Sequence, residues 1–501
     1  MHRILGKQRV FGVGWRFLHL CISCILWLLI SPLYAAAPDC FQIQVVDEQT
    51  GRGVPLVELE TVNHLRFITD SAGRVAFNEP GLMKQEVFFF VRSHGYEFPK
   101  DGFGFAGARL KTEPGAKAVL KIKRLNIAER LYRITGEGIY RDSVLLGEKA
   151  PLAEPLGSGQ VAGQDSVVVA PYHGKLFWFW GDTNRLKYPL GHYWTSGATS
   201  ELPGRGGLDP AAGVNLRYFV DSDGFSKPVC RLGVKDGPIW IDGLLTVADG
   251  TGRDRLVCHY SHVKSLGEVL DHGLAVFNDD KGEFERTAGF RLDDLARCPH
   301  GHPIRRPDAS GDWFYFGNPF PVSRVKADLK QLADPDSYEV WTRGGWKRET
   351  RPFDATEERA LIKAGQLKPG EARFQPVDVD TGGPLAMHFG SVCWNDFRKR
   401  WIMIAVARGG GPSFLGEVYY AEAPELTGPW TRAKKIVTHY KYSFYNPVQH
   451  PFFDQAGGRV IYFEGTYAET FSGNPVATPR YDYNQIMYRL DLTDPRLKLA
   501  Q

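Results

Sequence analysis

Cysteine is scarce in this chain, which limits what can hold the fold together. Seven of the 501 residues are cysteine, and two of these fall within the first 37 residues. The other five are Cys40, Cys230, Cys258, Cys298 and Cys393. An odd, widely spaced set of five allows at most two disulfides, which excludes a small disulfide-framework protein. The length instead allows two or three domains with hydrophobic cores of their own.

The chain also lacks an excess of charge of either sign. It has 61 lysines and arginines against 57 aspartates and glutamates, a formal net charge of +4. Nucleic-acid-binding domains show a basic excess, and none is visible here. The hydrophobic content of 43% and the charged content of 24% are ordinary for a folded soluble protein. We therefore expect no nucleic-acid partner.

Tryptophan is absent from residues 38–177. Ten of the twelve tryptophans lie at or beyond Trp178, and the other two lie within the first 37 residues. So uneven a distribution indicates two domains of different character, with the aromatic-rich domain at the C-terminal side.

The first 37 residues have the pattern of a signal peptide. Basic residues precede a largely apolar run at 18–30, and small residues follow at 35–37. The alternative is an uncleaved anchor, but the apolar core is short for a membrane span. We expect cleavage near Ala36 and export to the periplasm or the medium, with no stable membrane insertion afterwards.

Residues 39–124 predict a small β-sandwich. The run 41–46 alternates at the period of a strand, and turn-forming residues at 47–51 and 70–73 separate further strand candidates. The segments 45–61 and 67–77 resemble transthyretin-like or carboxypeptidase-regulatory-like modules. The resemblance implies an accessory domain with no chemistry of its own.

Residues 125–162 predict a short helix followed by a linker. Asn126 and Glu129 have the spacing of a capping box, which favours a helix ending near Gly136. Residues 148–163 are rich in glycine, proline and alanine and indicate the linker. A second stretch of high helix propensity, near 354–365, predicts a small helical insert further along the chain.

Beyond residue 160 one pattern recurs five times: a short apolar strand, a turn, and an aromatic-rich returning strand. Five hairpins over about 330 residues favour radial repetition over one open sheet. We therefore predict an all-β chain, with a five-bladed β-propeller over 163–495 after the sandwich. The predicted blades cover roughly 163–235, 238–295, 300–350, 385–435 and 443–495. A propeller brings one end of every blade to a common axis.

The first hairpin is predicted to oppose two acids. A two-residue turn at 173–174 would pair Tyr172 with Lys175. Counting back along both strands then places Asp165 opposite Asp182, with Cβ atoms about 4.5–5.5 Å apart. Two carboxylates so close repel each other and raise one pKa, as in the paired acids of hydrolytic sites. A register slip of one residue would put them on opposite faces instead.

Further polar and aromatic residues begin or end the later strands. Asp242 begins the second hairpin where Asp165 begins the first, and a second acid is sought in Asp182, Glu417 or Glu464. The candidate substrate contacts are Trp180, Trp194, Arg305, His388, Tyr445, Asn446 and His450. A concave surface of mixed polar and aromatic groups suits a sugar.

Several short stretches resemble five-bladed propeller glycoside hydrolases of the arabinanase and β-xylosidase families and a more distant propeller family containing D-arabinanases. These stretches are 163–166, 176–183, 416–430, 445–453 and 460–467. The resemblance implies that Asp165 acts as base and that Asp242 tunes pKa and orientation. A middle-blade glutamate supplies the acid in those families, and the third hairpin here offers none. The resemblance also implies inversion of the anomeric centre, for which the two carboxyl groups should lie about 6.5–9.5 Å apart. A directly opposed Asp165–Asp182 pair would be closer than that. We therefore expect Asp182 to be a neighbour of the base and the acid to be Glu417 or Glu464.

Histidines and cysteines gather in two stretches, at 258–272 and 298–302. Cys258 and His262 fall on one face of a predicted strand and His259 on the other, which opposes a shared metal site. His300 and His302 share a face and would reach a metal near the axis. We assign no metal ligands and no required cofactor. The resemblance allows a single axial cation, calcium or sodium, held by His388 or a neighbour.

The leading hypothesis is an exported glycoside hydrolase that cleaves a polysaccharide or oligosaccharide by carboxylate acid–base chemistry. The alternative is a non-catalytic propeller that binds glycans or another surface. Two carboxylates converging in one pocket favour the enzyme, and acids scattered around the rim favour the binding protein.

Overall fold

The computed structural model describes residues 39–480 and 482–499, and strands dominate the regular structure in these ranges. The predicted signal peptide, residues 1–37, lies outside the described residues. Within them, none of the helices has the length and apolarity that a membrane crossing requires. The five described cysteines are all free.

Residues 41–124 form two four-stranded sheets. The strands are β1 (Phe41–Asp47), β2 (Glu58–Thr61), β3 (Arg66–Ile68), β4 (Arg74–Phe77), β5 (Glu86–Arg92), β6 (Tyr96–Glu97), β7 (Gly107–Lys111) and β8 (Lys117–Arg124). One sheet has the order β4-β1-β8-β6 and the other β3-β2-β5-β7. Alternate residues of each strand face a shared core, such as Ile43 and Val45 from β1 with Phe89 and Val91 from β5.

The helix predicted from Asn126 is wrong. Residues Glu129–Arg133 form strand β9, which pairs antiparallel with the last strand of the chain. Asn126 does not cap a helix, because its Oδ1 accepts a hydrogen bond of 3.0 Å from the Thr438 amide. The partner strand lies more than 350 residues away, so tertiary pairing overrides the local capping pattern. The first helix, α1, is a single turn at Arg141–Leu145.

The rest of the chain forms five sheets in sequence order, mostly of antiparallel pairs, and one small three-stranded sheet beside the first of them. Sheet 1 consists of β11 (Val167–Tyr172), β12 (Lys175–Trp180), β15 (Ser196–Glu201) and β16 (Arg217–Tyr218). A separate small sheet consists of β10 (Val161–Gln164), β13 (Thr183–Arg185) and β14 (Tyr188–His192). Sheet 2 consists of β17 (Ile239–Ala248), β18 (Asp254–Ser265), β19 (Glu268–Asn278) and β20 (Glu283–Gly289). Sheet 3 consists of β21 (Ile304–Asp308), β22 (Gly311–Gly317), β23 (Pro321–Lys326), β24 (Glu339–Thr342) and β25 (Gly345–Lys347).

Sheet 4 consists of β27 (Met387–Asn395), β28 (Arg400–Ala407), β29 (Val418–Ala423) and β30 (Arg432–Val437), with β26 (Val377–Asp378) added in parallel to β30. Sheet 5 consists of β31 (Ser443–Gln449), β32 (Val460–Ala468) and β33 (Asn484–Asp491), and β9 is its outer strand. Two helices, α2 (Leu329–Leu332) and α3 (Ala355–Lys363), lie between these strands. Short 3-10 helices cover Pro80–Leu82, Pro335–Ser337, Pro369–Glu371, Pro451–Phe453, Ala456–Gly458 and Pro495–Leu497.

The first strands of sheets 1 to 5 line one cavity of about 840 Å³. β11, β17, β21, β27 and β31 contribute, for example, Val169, Leu244, Ile304, Val392 and Gln449. Residues that are far apart in sequence therefore meet along this cavity.

Candidate functional site

The hairpin β11–β12 opposes Asp165 and Asp182, as its turn predicts. His173 and Gly174 both have positive φ, at 48° and 75°, which suits a two-residue turn between twisted strands. Tyr172 pairs with Lys175, and the Asp165 amide donates a 2.9 Å hydrogen bond to the Asp182 carbonyl. The predicted register is confirmed. Both acids are only partly buried, so their carboxyls remain within reach of a substrate.

Asp165 is held by donors that favour its ionised form. The Ser166 amide and the Ser166 hydroxyl both donate to Oδ1, the latter at 2.8 Å, and Asn446 Nδ2 donates to that hydroxyl at 2.6 Å. Burial raises the pKa of Asp165, while the bonds from Ser166 act in the opposite direction. Sheet 5 thus fixes the orientation of an acid that belongs to sheet 1.

Asp182 has a pKa raised to about 6, mainly by burial and further by the charge of Asp165. Its Oδ1 accepts a 3.1 Å hydrogen bond from Trp240 Nε1, which opposes the rise. A carboxyl with this pKa is still partly protonated near neutral pH, so it is able to donate a proton. Burial thus raises the pKa of both opposed acids, and the charge of Asp165 adds to the rise at Asp182.

Asp242 sits at a bulge in β17, where pairing with β18 shifts between Asp242 and Leu245. Its two oxygens accept backbone hydrogen bonds of 2.9 Å from Gly243 and 3.0 Å from Gly301. Burial raises its pKa, and these bonds together with His300 act against the rise. Asp242 and Trp240 lie on the same face of β17, so Asp242 points to the side where Trp240 meets Asp182.

Gly243 explains why the bulge holds this shape. Its φ is +58°, and a Cβ there would lie 2.5 Å from the Pro299 carbonyl carbon. Only glycine allows the loop before sheet 3 to come this close and to bring the Gly301 amide to Asp242.

Four of the predicted residues lie at the same end of the large cavity. Asp165, Asp242, His388 and Asn446 each precede, by two or three residues, the first cavity-lining residue of their own chain segment. β27 and β31 are also irregular here, with register shifts after Met387 and after Tyr445. Bulges re-aim side chains, and here they occur beside three of these four residues. We call Asp165, Asp182 and Asp242 the carboxylate cluster.

The structure does not bring Glu417 or Glu464 to this cluster. The Glu417 side chain is fully buried, with Lys435 Nζ at 2.9 Å and the Thr438 hydroxyl at 2.7 Å. The Glu464 side chain is fully buried against His450, with Nε2 and Oε1 2.8 Å apart. Glu417 and Glu464 were predicted as candidate general acids and His450 as a substrate contact. These predictions are wrong, because a substrate cannot reach side chains that are fully buried against their partners.

Trp180 is also a core residue rather than a sugar platform. Its ring is 1% exposed and packs beside Trp178 and Tyr218. Arg305 is exposed and lines the cavity, but it pairs at 2.7 Å with Asp312, next to the β21–β22 turn. Asp312 therefore holds the guanidinium of Arg305 toward the β21–β22 turn, and Arg305 is not part of the carboxylate cluster.

The remaining predicted contacts stay close to the cluster or to its rim. Tyr445 is buried beside Asp165, and Asn446 bonds Ser166. His388 is part-buried and stacked on the exposed Phe389, and its Nδ1 has no hydrogen-bond partner. Trp194 is part-buried against the core between sheets 1 and 2.

Two aromatic residues of the site were missed by the sequence reasoning. Trp240 bonds Asp182, and alternation along β17 with Asp242 is the pattern that could have found it. Phe471 is 51% exposed, and its ring centroid lies 5.8 Å from that of Tyr445. Phe471 lies in a loop after β32, for which neither periodicity nor spacing gives an indication.

No protein-family model and no curated protein matches the chain. Solved structures similar to it include a proposed hydrolase from Bacteroides ovatus ATCC 8483, with 14% identity, 66% of this chain and 86% of that chain covered, and a TM-score of 0.42. An exo-1,5-α-L-arabinanase from a bovine ruminal metagenomic library has 11% identity, coverage of 66% and 93%, and a TM-score of 0.35. An endo-1,5-α-L-arabinanase from Thermotoga petrophila RKU-1 has 13% identity, coverage of 65% and 71%, and a TM-score of 0.32. Sequence identities and TM-scores this low do not allow site residues to be assigned from these structures. The site is therefore defined by the contacts within this chain alone.

Proposed function

We propose that this protein is a glycoside hydrolase that cleaves a polysaccharide or oligosaccharide. The observation that carries the proposal is the opposed pair Asp165 and Asp182. The two acids differ in their hydrogen-bond donors, since Asp165 accepts from Ser166 and Asp182 accepts from Trp240, and burial raises the pKa of both, that of Asp182 to about 6. Phe471 is exposed and its ring packs against that of Tyr445, the residue beside Asp165, so it supplies an apolar face on which a sugar ring can stack.

The proposed architecture is a five-bladed β-propeller preceded by an accessory β-sandwich. Sheets 1 to 5 are the blades, and the shared cavity of their first strands is the axial channel. Strand β9 completes sheet 5 from the segment between the domains, which ties the start of the propeller to its end. The cluster then lies at the mouth of the channel.

The three acids of the cluster have different proposed roles. Asp182 is the general acid, because its raised pKa keeps a proton available for the leaving oxygen. Asp165 is the second carboxylate, which attacks the sugar or activates water. Asp242, held by two backbone amides, contributes negative charge and orientation without touching the bond that breaks.

The spacing of the opposed pair bears on stereochemistry. Retaining enzymes hold their two carboxyl groups roughly 5–5.5 Å apart, and inverting enzymes about 6.5–9.5 Å apart. We propose inversion, as the family resemblance implies, which requires the carboxyl groups of Asp165 and its partner acid to diverge from the opposed backbone positions. The anomer first formed, followed by proton NMR, distinguishes inversion from retention.

A single axial calcium or sodium ion also remains a proposal. Two buried atoms without a hydrogen-bond partner point to a ligand near the cluster, His388 Nδ1 and Asn446 Oδ1. Calcium prefers oxygen ligands, so Asn446 and the cluster carboxylates fit it better than His388 does. Such an ion would hold negatively charged groups close together. Export through the N-terminal leader is likewise proposed, from the sequence of residues 1–37.

The test is a glycan panel assayed for new reducing ends. It contains α-1,5-L-arabinan, D-arabinan, β-1,3-galactan and xylan, and compares wild type with Asp165→Asn and Asp182→Asn. We expect one substrate to be cleaved by wild type and both variants to lose at least about 100-fold in kcat, as expected for acid–base groups. Asp454→Asn is the matched control, because Asp454 is another acid with a raised pKa that lies outside the cluster.

Unchanged activity in either cluster variant would overturn the assignment of the pair. Binding of a glycan by wild type without any cleavage would instead favour the non-catalytic propeller. Equal losses in Asp454→Asn would indicate a general effect of the substitutions on the fold.

A further inference from the structure

Two histidines and one cysteine converge in the core between sheets 2 and 3. They are His259 on β18, His272 on β19 and Cys298 in the loop before β21, with exposures of 7%, 0% and 1%. One ligand atom from each lies within 4.8 Å of the other two. None of the three belongs to the carboxylate cluster.

The strand pairing explains how the two imidazoles meet. His272 lies opposite Ser261 in the β18–β19 ladder, and Ser261 is two residues from His259. His259 and His272 are therefore diagonal neighbours on one face of sheet 2. Cys258 points to the other face, where it packs in the core shared with sheet 1. Alternation along β18 thus keeps the Cys258 side chain away from His259, His272 and Cys298.

The distances suit a tetrahedral metal ion. His259 Nε2 and His272 Nδ1 are 3.0 Å apart. Zinc–nitrogen bonds of about 2.0–2.1 Å at tetrahedral angles separate two nitrogens by about 3.3 Å, so a shift of a few tenths of an ångström admits the ion. Histidine and cysteine are also the ligands that zinc prefers.

His272 is oriented as a metal ligand is. Its Nε2 donates a 2.7 Å hydrogen bond to the Arg291 carbonyl, so Nδ1 carries the lone pair that faces His259 and Cys298. A backbone acceptor on the far nitrogen is the usual partner of a zinc-bound histidine, because it fixes both tautomer and ring orientation.

We propose that His259, His272 and Cys298 bind one zinc ion, with a fourth position left for a water molecule. On binding, the Cys298 thiol releases its proton to solvent and the thiolate sulfur bonds the metal. His259 holds its remaining proton on Nδ1 instead of sharing it with His272 through Nε2. No oxidation or reduction takes place.

The position of this site gives it a structural consequence. Cys298 lies three residues before Gly301, whose amide donates to Asp242, and His259 pairs directly with Asp242 across β17 and β18. A metal at Cys298 would therefore anchor the loop that holds one acid of the carboxylate cluster. The ion has no proposed contact with substrate.

The experiment measures metal content of the full chain, without reference to activity. Protein is stripped with a strong chelator, incubated with zinc alone, passed over a desalting column and analysed by mass spectrometry for bound metal. Cobalt(II) is then used as a second probe, because a cobalt–thiolate bond gives charge-transfer absorption in the near ultraviolet. The variants are Cys298→Ala, His259→Gln and, as the matched control, Cys258→Ala.

We expect one zinc per wild-type chain, retention in Cys258→Ala, and loss in Cys298→Ala and His259→Gln. The cobalt charge-transfer band should appear in wild type and in the control and be absent in Cys298→Ala. Wild type that retains no zinc after desalting, or cobalt-loaded wild type without a thiolate band, would overturn the proposal. These two readouts on wild type hold even where a variant fails to fold.

Discussion

Replacing Asp182 by asparagine should make the protein more stable at pH 8 while removing the proposed glycoside hydrolase activity. The pKa of Asp182 is raised from its ordinary 3.8 to about 6, so the folded chain holds this proton more tightly than the unfolded chain does. Below pH 3.8 Asp182 is protonated in both the folded and the unfolded chain, so its ionisation does not change the free energy of unfolding. As pH rises through 6 the folded state must bury a charge, and stability is lost.

The size of the effect follows from the pKa difference. About two pKa units at about 1.4 kcal/mol each give about 3 kcal/mol of destabilisation by the ionised group above pH 6. The asparagine substitution removes the charge, and its amide oxygen still accepts the hydrogen bond from Trp240. With an unfolding entropy of about 2.1 cal/mol/K per residue, a chain of 501 residues gains about 3 °C in Tm.

Differential scanning calorimetry at pH 4 and pH 8 checks this prediction. The gain in Tm should be present at pH 8 and nearly absent at pH 4. Asp454→Asn is the matched comparison, because burial raises the pKa of Asp454 to about 7 with Gln449 as its hydrogen-bond donor. It should gain about 4 °C at pH 8 by the same reasoning and keep its activity.

Two results would refute the reasoning. A Tm of Asp182→Asn that is lower than wild type at pH 8 would mean that the charge is stabilising in the folded state. An equal gain at both pH values would mean that the effect does not come from ionisation.

Three further outcomes are expected. The value of kcat/KM should fall as pH rises above about 6, because the proposed acid Asp182 must be protonated, and a flat profile between pH 5 and 8 would contradict that role. Phe471→Ala should raise KM about 2- to 12-fold with kcat unchanged, since aromatic stacking contributes about 0.5–1.5 kcal/mol, and a loss confined to kcat would argue against a platform. Glu464→Ala should lower the free energy of unfolding by about 1–3 kcal/mol, because it leaves the buried Nε2 of His450 without its hydrogen-bond partner. Chemical denaturation measures this loss, and an unchanged midpoint would contradict it.

The local hairpin was predictable because its information is local. A two-residue turn at His173 and Gly174 fixes the register of β11 against β12, and the period of two then fixes which residues share a face. Asp165 and Asp182 are only 17 positions apart, so no distant contact enters the count. The alternation that separates Cys258 from His259 was predictable for the same reason.

The burial of each side chain could not be predicted from local spacing. Glu417 and Glu464 have the residue type and the strand-end positions of catalytic acids, yet both are fully buried against partners from neighbouring strands. A carboxylate at a strand end is equally suited to a site or to a buried pair, and only the neighbouring strands decide between them. The same holds for Trp180, whose ring the small strand β16 covers through Tyr218.

The failed helix at Asn126 shows how distant pairing selects between local alternatives. Residues 129–133 pair with β33 at four positions, with one register shift, and Glu129 also contacts Arg489 of that strand. A helix of one or two turns is marginal in water, because nucleation costs more than a few hydrogen bonds return. Strand addition at the edge of sheet 5 meets no such cost once that sheet has formed. Residues 129–133 are therefore stable as a strand only while β33 is in place, which makes this segment dependent on sheet 5.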